Sequence, residues 1–80
     1  MAEVGAATQG AMRIMEVFRE HQTPAERDFM ADSMRLAFQN DTFLASEFEP
    51  AVQQAIANGW IADLGDSYRL TKAGYEVANR

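Results

Sequence analysis

Eighty residues allow one small domain and leave no room for a second core. The absence of cysteine excludes disulfides and thiolate metal sites, and twelve carboxylates against seven basic residues give a net charge of −5, which disfavours nucleic acid and anionic membrane surfaces. Charges interrupt every apolar run short of the ~18–20 residues of a membrane span, and no signal-peptide pattern opens the chain, so a cytoplasmic protein is expected.

Met1 to Gly10 is aperiodic and small, which reads as a flexible leader over 1–10 before a single domain over 11–80. Thr8 is a candidate N-cap for the helix that follows. Ala11, Ile14, Met15 and Phe18 recur at the spacing of one helix face, with Arg13, Glu16 and Glu20 opposite. His21 follows as a helix-end histidine; without a second His or any Cys it has no companion for a metal or catalytic site.

Thr23-Pro24-Ala25-Glu26 has the form of a capping box with proline at the first helical position. The helix it predicts runs to about Gln39 and carries Met30, Met34, Ala37 and Phe38 on its stripe, with Phe29 and Leu36 beside it. Asp32 and Arg35 are spaced to pair on the solvent side. Met15, Met30 and Met34 read as core filler between the first two helices. Asn40-Asp41 supplies turn chemistry, and Ser46-Glu47-Phe48-Glu49 reads as a second capping box.

The third helix has Phe48, Val52, Ala55 and Ile56 on its apolar stripe and ends at Asn58-Gly59, with Gly as the left-handed residue. Trp60 to Leu64 alternates as a strand does, Gly65-Asp66 is a two-residue turn, and Ser67 to Leu70 returns with Tyr68 and Leu70 on one face. Thr71 then caps a short final helix, Lys72 to about Ala78.

Residues 52 to 74 resemble the third helix and wing of prokaryotic winged-helix regulators: Gly59-Trp60-Ile61 closes the helix, and Leu70-Thr71-Lys72-Ala73-Gly74 closes the second wing strand. The resemblance implies an α+β, mostly helical fold, a winged-helix-like three-helix core with a C-terminal β-hairpin and a short final helix. It also implies DNA binding through the third helix. The link Asn40 to Ala45 is longer than the ~3–4-residue turn of a helix-turn-helix, and the wing is short and ends in a carboxylate.

With the stripe facing in, Ser46, Pro50, Gln53, Gln54 and Ala57 face out, flanked by Glu47 and Glu49. No Lys or Arg occurs from Leu36 to Tyr68, whereas Asp41, Glu47, Glu49, Asp63 and Asp66 do. Phosphate binding runs on cations, so this surface fits a basic protein partner better than DNA. The expected partner-binding residues are Glu47, Glu49, Gln53 and Gln54, with Phe29 and Phe43 as aromatic interface residues off the main stripes, and the partner is another protein or a second copy. The DNA alternative needs Gln53 to read adenine, Arg69 and Lys72 to hold phosphates, and a dimer that gathers Arg13, Arg19, Arg69, Lys72 and Arg80. Neither paired carboxylates in an acid–base arrangement nor a phosphate loop nor a ligand cluster is seen, so a non-catalytic module without cofactor or small-molecule substrate is expected.

Overall fold

The apolar spacing from Ala11 to Phe18 lies on α1 (Ala6–Glu20) in the computed structural model, which describes residues 6–80. Ala11, Ile14, Met15, Val17 and Phe18 are all buried. Ala6–Gly10 belong to this helix instead of a leader, and Thr8 lies inside it instead of capping it; the Met1–Gly5 part of the expected leader is outside the described residues. A Cβ at Gly10 would come within 2.6 Å of the Ala51 Cβ, so this glycine lets α1 lie close against the third helix. Helix α1 ends where the Gln22 amide donates to the Arg19 carbonyl and the Thr23 amide donates to the Phe18 carbonyl, with Gln22 left-handed at φ 53°. His21 sits at this end as expected, its Nδ1 2.9 Å from the Val17 carbonyl and its ring edge-on to Phe29.

Thr23-Pro24-Ala25-Glu26 does not open a helix. Glu26 is left-handed (φ 65°), which no helix interior admits. Its amide donates to the Leu70 carbonyl, and the Leu70 amide donates to the Arg27 carbonyl, so two residues face one in a β-bulge. Strand β1 (Asp28–Met30) follows directly. Proline suits a turn as well as a helix start, because its fixed φ serves both. Sheet pairing decided between the two. Helix α2 is therefore only Ala31–Phe38, with Met34 and Phe38 buried. Met30 and Leu36 are exposed, correcting their expected place in the core; Met30 lies on the outer side of β1, and Leu36 lies two residues from both inward positions of α2.

Asn40 makes the expected turn, its Oδ1 accepting the Thr42 and Phe43 amides at 2.8 Å each. Ser46 is not a cap. A 3-10 turn over Ala45–Glu47 leads into α3 (Phe48–Ala57), and the Glu47 carboxylate accepts the Leu44 amide at 2.8 Å. Phe48, Ala51, Val52 and Ala55 are buried on the inner side of α3.

Gly59 (φ 77°) turns the chain into β2 (Ile61–Asp63), and Gly65 (φ 97°) turns it into β3 (Ser67–Leu70). The Leu64 amide donates to the Ser67 carbonyl, closing the two-residue turn at Gly65-Asp66. Strand β3 is central in an antiparallel sheet of order β1-β3-β2, with Phe29 opposite Tyr68 and Ile61 opposite Leu70 on the inner face. Thr71 caps α4 (Lys72–Ala78): its Oγ1 accepts the Gly74 amide, and its one hydroxyl proton is shared between the Gly59 and Trp60 carbonyls. The fold is thus α+β and mostly helical, with a C-terminal hairpin and a short final helix. Its core is an aromatic chain in which Phe38 meets Phe48 at 5.4 Å and Phe48 meets Tyr68 at 6.2 Å, edge to face, each contact worth ~0.5–1.5 kcal/mol beyond area burial.

Candidate interaction surface

The inner stripe of α3 leaves Glu49, Pro50, Gln53 and Ala57 exposed, and no cation stands among them. Gln53 has no hydrogen-bonding partner among the described side chains, whereas Gln54 is half-buried and donates to Asn58 Oδ1 at 2.9 Å. Glu49 reaches Arg35 at 3.8 Å, and the Arg35 guanidinium lies over the Phe48 ring at 5.2 Å. Arg35 thus turns to α3 instead of to Asp32, its expected partner on α2. Glu47 is half-buried and committed to the Leu44 amide, so it serves the turn before α3 more than a partner.

Acidic potential extends from α3 to the wing. Burial raises the Tyr68 phenol above its ordinary value, and the Glu49 and Asp63 carboxylates push it further up, against a smaller opposing effect from Arg35. Asp63 follows the inner strand positions, and Asp66 stands at the turn beyond it.

Two of the cations expected to serve DNA, Arg13 and Arg69, are engaged within the domain. The Arg13 side chain is 10% exposed, correcting its expected place on the solvent face. Its guanidinium donates to the Ala37 and Phe38 carbonyls at the end of α2 and is flanked by Glu16 and Glu20. Arg69 stands directly opposite Asp28 on the outer sheet face and binds it at 2.8 Å, a hydrogen bond that holds its guanidinium above its ordinary value. Lys72 is exposed in the first turn of α4.

Phe29 and Phe43 are both half-buried against the core, and they do not join the α3 surface. Phe29 packs on Phe18 and His21 beside the loop before β1, and Phe43 packs on Phe38 and lines a separate cleft against α1. The exposed apolar residues are instead Met12, Met30, Leu36, Leu44, Leu64 and Tyr75. Met30 and Leu64 flank Ser67 on the outer sheet face, a row set by pairing with β3 that the three residues Asp28-Phe29-Met30 are too few to signal. No group of His, Cys, Asp and Glu able to hold a metal occurs among the described residues, and none of the described helices is long and apolar enough to cross a membrane. No protein-family model, curated protein or solved structure matches this chain.

Proposed function

We propose that the chain is a non-catalytic, winged-helix-like interaction module of the cytoplasm, with a regulatory role, that docks a basic protein segment on the outer surface of α3 and the wing. The observation that carries this is the charge of that surface. Glu49, Asp63 and Asp66 stand on it without a single Lys or Arg from Leu36 to Tyr68, and the cations beside it are already engaged, Arg35 by Glu49 and Phe48 and Arg69 by Asp28. Complementary charge steers such encounters and selects the partner. The helix-strand-helix-helix-strand-strand-helix order and the β1-β3-β2 sheet support the winged-helix reading.

The second reading is a DNA-binding regulator acting as a dimer. It is favoured by Gln53, an exposed amide on α3 without an intramolecular partner among the described side chains. Fluorescence anisotropy separates the two, with random-sequence duplex DNA and a Lys/Arg-rich amphipathic peptide titrated in parallel at low and moderate salt. The peptide is expected to bind wild type and to weaken with Glu49→Lys, while DNA stays unbound. DNA binding that falls steeply with salt, without peptide binding, would overturn the proposal in favour of the dimeric regulator.

A further inference from the structure

We infer that the chain carries a second docking site of opposite chemistry, a cleft between α1 and the end of α4 that takes an acidic amphipathic helical segment of a protein partner. The cleft has a volume of about 420 Å³; Met12, Met15, Trp60 and Val77 give it an apolar lining, and Arg19 and Arg80 line it too. It uses none of the α3 carboxylates or amides, so it stands or falls independently of the α3 surface.

Charge identifies the occupant. Glu16 is the one carboxylate lining the cleft, and it is bound by Arg13, which also reaches Glu20. Arg13 is turned towards the end of α2 and faces two carboxylates, so that cluster carries a net charge of −1. Arg19 and Arg80 form no ion pair with another described residue, so they are the cleft's unpaired cations and leave its surroundings positive by one. An occupant must therefore bring carboxylates for these two arginines and apolar groups for Met12, Trp60 and Val77.

Shape identifies its form. Gln9, Met12, Glu16 and Arg19 line the cleft at spacings of three, four and three along α1. That seam runs ~15 Å, about three helical turns, and a partner helix laid along it sets polar groups against Gln9, Glu16 and Arg19 and an apolar stripe against Met12, Trp60 and Val77. Met12 is 46% exposed, an unbranched side chain able to adapt to the residues that cover it. Trp60 is half-buried with one side in the core, an aromatic anchor already held in place.

The test uses the full chain and its single tryptophan. A display library of Trp-free helical peptides, about three turns long, is selected on wild type and counter-selected on the Arg19→Glu/Arg80→Glu variant. Enriched peptides are expected to carry Glu or Asp beside a Leu or Phe stripe and to change Trp60 emission as they bind. Their affinity is expected to fall about tenfold in the double variant, and to fall likewise with Met12→Asp. Both variants change exposed side chains, so circular dichroism and the urea midpoint should match wild type. Enrichment of basic or uncharged peptides, no enrichment, or binding that leaves Trp60 emission unchanged overturns the site. So does sedimentation showing a dimer that Met12→Asp dissociates and that excludes the peptides, because a second copy then covers the cleft.

Discussion

Gly74→Ala sets local propensity against tertiary packing, with opposite signs. Gly74 lies within α4, where exchanging glycine for alanine ordinarily gains about 1 kcal/mol of helix stability. Here a Cβ would penetrate the Trp60 carbonyl oxygen and stand 2.9 Å from the Trp60 carbonyl carbon and from Leu70 Cδ1. Two of these atoms are backbone and do not swing aside, so α4 must move off the start of β2. Two hydrogen bonds go with it: Thr71 amide to Trp60 carbonyl (3.1 Å) and Thr71 hydroxyl to the same carbonyl (2.9 Å). At about 1 kcal/mol each, with ~1–3 kcal/mol for overpacking, the cost is about 3–5 kcal/mol against a gain of about 1. The net loss of about 2–4 kcal/mol is a large part of the ~4–12 kcal/mol expected for a domain this small. Thermal unfolding followed by circular dichroism should show the midpoint falling by at least ~8 °C, at ~4–8 °C per kcal/mol. Ala73→Gly, exposed in the same helix, is the control and should cost only about 1 kcal/mol. A Gly74→Ala midpoint equal to or above wild type would refute the reasoning, because propensity would then outweigh the contact.

Arg13→Met should lower stability by about 2–3 kcal/mol in urea unfolding, since the last carbonyls of α2 lose a charged donor and Glu16 and Glu20 lose their cation. Arg13→Lys should not restore it, because one ammonium cannot reproduce the fork to two carbonyls; full rescue by Lys would show that charge alone matters there. Gln22→Gly and Glu26→Gly should each raise stability by ~0.5–1 kcal/mol, the relief of ~1–2 kcal/mol from a left-handed backbone exceeding the entropy glycine adds to the unfolded chain. Gly59→Ala should move the urea midpoint the other way, and a stabilised Gly59→Ala would show that its φ of 77° carries no strain.

The chain from Phe48 onwards is readable from sequence because its signals are local. Gly59 needs a positive φ just past the C-cap of α3, Gly65 supplies one in the hairpin turn, and Thr71 accepts an amide three residues on. Segment 23–30 was misread because its determinants are not local. Thr-Pro-Ala-Glu satisfies a helix start by every near-neighbour rule, and what overrules it is Leu70, more than forty residues away, whose carbonyl and amide hold Glu26 and Arg27 in a bulge. The same distance hid the role of Gly10, whose reason is Ala51. A three-residue strand such as Asp28–Met30 offers one alternation, too little to outweigh a capping box.

The acidic character of the interaction surface was legible as a run without Lys or Arg; the fate of the cations elsewhere was not, and it bears directly on DNA binding. Arg13 goes to the α2 carbonyls, Arg35 to Glu49 and Phe48, and Arg69 to Asp28, three of the seven basic residues, each held by a partner outside its own helix or strand. The remaining four are Arg19, Arg27, Lys72 and Arg80, so two copies together would offer eight. A typical duplex binder makes ~6–10 phosphate contacts, so nearly every remaining cation of both copies would have to reach phosphate at once. None of them lies on α3 or the wing; they stand near the end of α1, in the loop after it, and on or beyond α4. Base readout by Gln53 and charge neutralisation by these four cations therefore draw on different elements of the domain, whereas a basic protein segment on α3 would need only the first of these elements.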